Sequence, residues 1–214
     1  VCIFLTNSRN AWGSSILTIP LMFGLSSLWW FLPFTLFLAT LILVTSHNLF
    51  KGKLQEILRF LIPNKVWLEF TPEGFNNLNV TRFEILNAAS NIILNNLFFG
   101  TGAGSFPLIY EFNTGLWKGH SHNIFAELAI SYGLPSTILF IYFLFKIFIN
   151  SFKKILKEPL INIVDKSYLA ATLIFIVSQM VDIQYFDGRI SLVFWLLLAG
   201  LKCSIDEKKK IIYG

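Results

Sequence analysis

The sequence has few charged residues and almost no cysteine, and both shortages restrict the class of protein. Asp, Glu, Lys and Arg make up only 14% of 214 residues, whereas a soluble domain carries about a quarter. Cys2 and Cys203 have no neighbour at metal-ligand or redox spacing, which argues against a disulfide framework. A hydrophobic content of 55% with 23 Phe excludes a disordered, collagen-like or coiled-coil chain. The composition predicts an integral membrane protein.

Long apolar runs predict an all-α, polytopic helical bundle. Residues 11–46 carry no charge and are close to twice the length of about 20 residues that one span needs, so we predict two helices there. The five predicted spans lie at about 11–28, 30–46, 122–148, 166–183 and 190–204. The opening stretch from Val1 is typical of the end of a helix, so we expect a fragment that lacks its N-terminal part.

These spans divide the chain into four predicted parts. The parts are two spans with a preceding Ser-Arg turn (1–46), a large non-cytoplasmic loop (47–119), three spans (120–206) and a basic cytoplasmic tail (207–214). Within the loop, residues 54–62 and 81–97 have apolar residues at three- and four-residue spacing, which predicts short amphipathic helices.

Positive charge indicates the orientation of the predicted spans. Lys153 and Lys154 lie in a basic connection between the third and fourth spans, and Lys208–Lys210 stand near the end of the chain. Because short cytoplasmic loops carry an excess of Lys and Arg, the large loop and the turn at 184–189 should lie on the opposite face. The net charge of +5 is then mostly anchoring, and we expect no nucleic-acid partner.

The densest polar stretch, residues 119–127, stands at the mouth of the third predicted span. If a helix begins there, His120, Asn123 and Glu127 share a face, and a carboxylate can orient an imidazole. Such a histidine can remove a proton from a sugar hydroxyl. Two alternatives stay open at this point. Asn123 or a neighbouring serine only caps the helix, or His120 and His122 bind a metal with Glu127.

A glycine-rich segment, residues 100–106, precedes the histidines. Glycines at every second position, including Gly102 and Gly104, let backbone amides approach an anion closely. A flexible turn without a ligand is the alternative. No lysine follows as in a nucleotide-binding loop, and no strand precedes it as a dinucleotide fold requires.

Three arginines are predicted on the same face as the histidines: Arg9, Arg82 and Arg189. The planar guanidinium fork suits a phosphate or pyrophosphate without any metal, so these residues indicate an anionic, lipid-linked substrate. The alternative for each is an interfacial position or an ion pair, with Asp182 or Asp187 as the partner of Arg189.

The ordered set of motifs resembles the O-antigen ligase and O-antigen polymerase superfamily of bacterial membrane proteins. The matching features are Ser8-Arg9, Arg82, the segment 100–106, and His120-Ser121-His122-Asn123 with Glu127 and Gly133. Residues 182–189, followed by a Trp-containing span, resemble cyanobacterial-type members, some of which carry the label of inorganic-carbon transporters. The likeness covers nearly the whole chain, as the C-terminal half of a family member.

The resemblance implies a metal-independent glycosyltransferase, without a cofactor, in the bacterial inner membrane with a periplasmic active face. The donor would be a glycan on undecaprenyl pyrophosphate. The acceptor would be a sugar hydroxyl, on the lipid A core in ligases and on a lipid-linked repeat unit in polymerases. His122 best matches the family's essential histidine, which activates the acceptor, and His120 matches less well. Arg82 and Arg9 match the arginines that hold the donor pyrophosphate.

The prediction therefore assigns two sets of site residues. The catalytic set is His122, His120 and Glu127, and the substrate-binding set is Arg82, Arg9, Arg189, Gly102, Gly104 and Asn123.

A membrane transporter of a small anion such as bicarbonate is the alternative function. A path across the membrane would be marked by intramembrane charge, yet the first three predicted spans are nearly charge-free. A site at one face fits this distribution better. Inverted repeats in the N-terminal half would favour transport instead, and the lack of paired arginines near His122 would favour a degenerate scaffold.

Overall fold

The computed structural model describes residues 8–46, 52–61, 80–157 and 163–213, and all regular structure in these ranges is helical. The helices are α1 (Arg9–Phe23), a short 3-10 turn (Leu25–Ser27), α2 (Leu28–Ser46), α3 (Lys53–Leu61), α4 (Arg82–Asn95), α5 (Phe106–Thr114), α6 (Ile124–Lys157), α7 (Ile163–Gln179) and α8 (Gly188–Tyr213). No strand occurs in the described ranges, which confirms the all-α part of the predicted fold class.

The chain divides into two compact units, Val1–Thr81 and Arg82–Gly214. In the first unit, Ser8 caps α1 because its side-chain oxygen accepts a hydrogen bond from the backbone N–H of Ala11 at 3.2 Å. The predicted Ser-Arg turn is thus the start of a helix. The predicted amphipathic helix at 54–62 corresponds to α3.

In the second unit, α6, α7 and α8 pack around one apolar core. Its buried members are Leu144 and Ile147 of α6, Leu169 of α7, and Phe194, Leu198, Leu201 and Ile205 of α8. The ring of Phe194 stacks on that of Phe175 with 5.1 Å between centroids. The start of α6 and the end of α7 meet at one end of this bundle, as the bond from the Asn123 side chain to the carbonyl of Met180 shows.

Within the described ranges, two helices are long and apolar enough to cross a membrane, over Ile124–Lys153 and Gly188–Asp206. They correspond to the third and fifth predicted spans. The other predicted spans lie on α1, α2 and α7, and their crossing of the membrane stays a prediction, as do the four predicted parts of the chain and their topology. The predicted helix at 81–97 corresponds to α4, whereas α5 lies in a segment for which the sequence predicted no helix.

A break in α6 at Gly133 holds the glycine-rich segment in place. Gly133 has φ +83 and ψ 166, and the interruption lets the carbonyls of Ile130 and Ser131 accept bonds from the amides of Thr101 and Gly102, the latter at 3.1 Å. A Cβ atom on Gly133 would lie 2.1 Å from the carbonyl oxygen of Phe98. The close approach of two backbones therefore requires glycine here, and it docks residues 97–102 on α6.

Candidate functional site

The two predicted histidines lie together at one end of the α6–α8 bundle, beside a carboxylate. His122 Nδ1 is 3.1 Å from Asp182 Oδ1, and His120 Nε2 is 3.8 Å from the same oxygen. The two rings meet edge to face with 4.4 Å between centroids, and each histidine side chain is about a quarter exposed. The site is thus open to solvent on one side and braced by protein on the other.

The hydrogen-bond partners assign the proton positions on both rings. The backbone N–H of His122 donates to His120 Nδ1 at 3.3 Å, so neutral His120 carries its proton on Nε2, toward Asp182. His122 Nδ1–H donates to Asp182, which leaves Nε2 of His122 with the free lone pair. His122 therefore has the arrangement of a general base that is oriented by a carboxylate.

Burial and nearby positive charge favour the neutral imidazole of His122. Burial lowers the pKa of His122 most, protonation of the neighbouring His120 would lower it further, and the charge of Arg82 acts in the same direction. The hydrogen bond and negative charge of Asp182 act in the opposite direction, but the pKa still lies below its ordinary value. The involvement of Arg82 places the start of α4 within electrostatic range of His122.

The backbone of His122 adopts the left-handed conformation, with φ 58. A non-glycine residue in this region carries local strain of about 1 kcal/mol or more, and such positions cluster at functional sites. Glu127, which is only 2% exposed, stabilises this segment because its Oε2 accepts the backbone N–H of Ser121 at 2.9 Å. The carboxylate that contacts a histidine ring is Asp182, and Glu127 holds the loop that carries the histidines.

Asn123 caps α6, as the alternative interpretation of the sequence proposed. Its Oδ1 accepts the backbone N–H groups of Phe125 and Ala126 at 3.0 and 3.1 Å, and its Nδ2 donates to the carbonyl of Met180 at 3.2 Å. Both ends of the amide are thus engaged in positioning α6 against the end of α7. A substrate contact by Asn123 stays a prediction.

The arginines of the predicted substrate site have different positions. Arg82 is exposed at the start of α4. Arg189 forms an ion pair with Asp187, with 2.9 Å between Nη2 and Oδ2, and this pair holds the pKa of Asp187 below its usual range. Arg189 therefore forms the ion pair that the sequence offered as the alternative to substrate binding, and its partner is Asp187, not Asp182. Arg9 belongs to the first unit, its side chain lies outside the described part of the structure, and its role stays a prediction.

The glycine-rich segment is docked on α6, which the sequence did not indicate. The amide of Gly102 is engaged by the carbonyl of Ser131, so this amide is not free for an anion in the observed conformation. Gly104 instead lines a cavity of about 530 Å³. Its wall also includes His120, Glu127, Gln184, Phe186 and Asp187. The cavity therefore unites three predicted site residues with the turn between α7 and α8.

Three side chains of the site form a candidate metal-ligand group. One ligating atom each from His120, His122 and Asp182 lie within 4.8 Å of one another, and two imidazoles with a carboxylate suit a transition metal such as Zn²⁺. Asp182 takes the place that the metal alternative had given to Glu127. A metal on His120 Nε2 would require the proton to move to Nδ1, and the hydrogen bond from the His122 backbone would be lost.

Comparison with known proteins decides the family. A family model described as O-antigen ligase matches residues 1–141, about two thirds of the 214-residue chain. This chain belongs to the O-antigen ligase family. No curated protein and no solved structure matches it. Membership confirms the resemblance stated from the motifs and indicates a glycosyl-transfer enzyme of polysaccharide assembly, in a membrane context and with lipid-linked glycan substrates.

The O-antigen ligase match includes the histidines and Arg82 but ends before Asp182. Sequence reasoning considered Asp182 as a partner for Arg189 and as part of the resemblance at residues 182–189, but not as the partner of a histidine. A usable signal was present, because an acidic residue at the end of a predicted span lay on the same predicted face as the histidines. Only the packing of α6 against the end of α7 shows which of these groups Asp182 contacts.

Proposed function

We propose that this protein moves a glycan from undecaprenyl pyrophosphate to a sugar hydroxyl at the periplasmic face of the bacterial inner membrane. The chain would form part of a polytopic bundle. The acceptor hydroxyl would belong to either the lipid A core or another lipid-linked repeat unit. The observation that carries this proposal is the pairing of His122 Nδ1 with Asp182 Oδ1 at 3.1 Å in a chain of the O-antigen ligase family.

In the proposed reaction, Nε2 of His122 accepts the proton of the acceptor hydroxyl. The hydroxyl oxygen then bonds to the anomeric carbon of the donor sugar, and the bond from that carbon to the pyrophosphate oxygen breaks. The leaving undecaprenyl pyrophosphate keeps the electron pair. Asp182 stabilises the imidazolium that forms, through the hydrogen bond already present at His122 Nδ1.

Stabilisation of the leaving group is the proposed role of the arginines. Negative charge develops on the pyrophosphate as the sugar departs, and fixed cations in a site shielded from water lower the barrier most. Arg82 supports this role because its charge already acts on His122. Arg9 would act with it, as the family resemblance implies.

The direct test is reconstitution of the full-length protein in lipid with a radiolabelled glycan on undecaprenyl pyrophosphate. Two acceptors would be offered in parallel, a lipid A core and a second lipid-linked repeat unit. Label appearing on either acceptor, with release of undecaprenyl pyrophosphate, supports transfer and separates ligase from polymerase. Absence of labelled product with both acceptors would contradict the proposal.

Asp182→Asn is expected to lower the transfer rate and to move its pH dependence. The rate should rise with pH as His122 loses its proton, and this rising part of the pH profile is called the acid limb. Because Asp182 raises the pKa of His122, its neutralisation should shift this acid limb to lower pH. The plateau should fall by up to about 10⁴-fold, as when the carboxylate that orients a catalytic imidazole is replaced by an amide. The measurement is the initial transfer rate between pH 4.5 and 8.

Asp187→Asn is the matched control for Asp182→Asn, because Asp187 pairs with Arg189 in the same turn. It removes one carboxylate without touching a histidine contact, and it should leave the position of the acid limb unchanged. An acid limb that stays in place in Asp182→Asn, or moves upward, would overturn the role given to Asp182.

Chelation is expected to leave transfer intact, because the proposed reaction uses only His122, Asp182 and arginine cations. Protein treated with EDTA and then passed over a metal-free column should retain its full initial rate. A large loss that one added metal restores would revive the metal group at His120, His122 and Asp182. Asp182→Asn would then lose metal affinity as well as activity.

A further inference from the structure

The cavity of about 530 Å³ beside His120 has two walls of different origin. One wall consists of Gly104, Gly119, His120 and Glu127, which lie inside the range that the O-antigen ligase model matches. The other consists of residues from the turn between α7 and α8, together with Ile190 at the start of α8, and lies beyond that range. The cavity therefore joins a wall that carries the family motif to a wall supplied by a segment outside the family match.

Hydrogen bonds and ring contacts hold the second wall of the cavity in place. Buried Gln179 accepts the backbone N–H groups of Gln184 and Tyr185 on its Oε1, at 2.7 and 3.0 Å. The hydroxyl of Tyr185 accepts a bond from Trp195 Nε1 at 3.1 Å, and the ring of Tyr185 meets that of Phe186 at a centroid distance of 6.2 Å. Phe186 and Gln184 are thus presented on a preorganised turn.

The side chains of the cavity suit a carbohydrate. Phe186 is 54% exposed and offers an aromatic surface to the C–H groups of a sugar ring. Gln184 offers both a donor and an acceptor, and the Asp187 carboxylate, which is 38% exposed, can accept further bonds from hydroxyl groups. Concave sites of several hundred cubic ångströms with a few polar groups on an apolar lining are typical of small-ligand sites.

The charge of the lining disfavours an anionic ligand. Asp187 is held in its ionised form by Arg189, but the Arg189 side chain is itself 91% exposed and is not part of the lining. A sugar phosphate or a uronic acid in this cavity would bring its negative charge beside the Asp187 carboxylate, and like charges at close range are costly.

We propose that this cavity holds the terminal sugar of the acceptor, that this sugar carries no negative charge, and that Phe186 and Gln184 determine acceptor choice. This proposal rests on the proposed function, in which His122 is the base. His120 lines the cavity, and its ring lies next to that of His122, with 4.4 Å between the two ring centroids. An acceptor hydroxyl at the His120 end of the cavity would be next to the base. Acceptor specificity then comes from the turn between α7 and α8.

The test compares neutral and acidic methyl glycosides by saturation-transfer NMR on the full-length protein in lipid nanodiscs. The neutral probes are the methyl glycosides of glucose, galactose and N-acetylglucosamine, and the acidic probes are those of glucuronic and galacturonic acid. At least one neutral probe should give a signal about tenfold or more above that of its acidic counterpart. Equal signals from neutral and acidic probes would overturn the proposal.

Variants locate the sugar in the cavity. Phe186→Ala and Gln184→Ala should each reduce the neutral-sugar signal about tenfold, as loss of a stacking surface or of a hydrogen-bonding amide does in other sites. The control is Phe112→Ala, because Phe112 is 91% exposed on α5 and does not line the cavity. Binding that survives in both cavity variants, or that falls equally in the control, would show that the sugar binds elsewhere.

A kinetic experiment separates this inference from the function on which it rests. In the transfer assay, Phe186→Ala should raise the acceptor KM about tenfold and leave kcat and the donor KM unchanged. Sugar binding that depends on Phe186 should persist in His122→Ala, in which transfer is lost. If transfer depends on His122 while neither acceptor KM nor sugar binding depends on Phe186, the proposed function stands and the acceptor cavity is wrong.

Discussion

Replacing His122 with alanine is expected to lower the rate of glycan transfer about 10²-fold to 10⁴-fold. The reason is that Nε2 of His122 carries the free lone pair, because Nδ1 donates to Asp182 at 3.1 Å. Without the imidazole, water must take the proton of the acceptor hydroxyl, and the charge stabilisation from Asp182 is lost with it. The measurement is the initial transfer rate of the full-length protein in lipid.

Two further variants make the His122 result specific. Asn113→Ala removes an exposed polar side chain on α5 and should retain the wild-type rate. Arg82→Ala should also abolish transfer, and it should raise the pKa of His122, because the Arg82 charge lowers it. Membrane insertion of each variant is checked by fractionation. Full activity in both His122→Ala and Arg82→Ala would refute the mechanism.

Replacing Gly133 with alanine is expected to destabilise the second unit more than any of the other substitutions proposed for it. Gly133 has φ +83, and its Cβ would lie 2.1 Å from the carbonyl oxygen of Phe98 and 2.9 Å from the backbone nitrogen of Phe99. These are backbone atoms, so the chain itself must move, and the neighbouring bond from Leu134 N–H to the carbonyl of Leu97 at 2.8 Å is strained or lost. We expect a loss of about 3–5 kcal/mol.

The Gly133 measurement is the midpoint of thermal unfolding in lipid or detergent, with Gly115→Ala as the matched control. Gly115 also has positive φ, at +71, but its Cβ would meet no atom within 4 Å. That variant should lose only the cost of a left-handed alanine, about 1 kcal/mol, and so isolates the effect of the close contact. Equal midpoints for Gly133→Ala and Gly115→Ala would show that the break in α6 does not depend on this contact.

Local sequence patterns predicted the parts of the fold that depend on neighbouring residues. Apolar runs predicted the helices now seen as α6 and α8, and three- and four-residue spacing predicted α3 and α4. These signals work because the spacing of apolar residues that is typical of a helix can be recognised within a few turns of sequence. The helix α5 was missed although it is as long as α3, because residues 106–110 are an unbroken apolar run without three- and four-residue spacing.

The site was predicted only in part, because its remaining contacts join distant segments. A dense polar stretch at the mouth of a span was enough to single out His120 and His122. The partner of His122 is Asp182, 60 residues further along the chain, and only the packing of α6 against α7 brings the two together. The glycine-rich segment likewise predicted a special backbone, but not the docking of Thr101 on a carbonyl 29 residues away.

The most direct test of transfer chemistry at His122 is the surface-glycan profile of cells, by gel and mass spectrometry. The full-length gene would be deleted and then complemented with wild type or with His122→Ala. We predict loss of polymeric or lipid-attached glycan on deletion, restored by wild type and not by His122→Ala, with the accumulating species separating ligase from polymerase. An unchanged profile after deletion would contradict the account and favour anion transport, with bicarbonate uptake as the next assay.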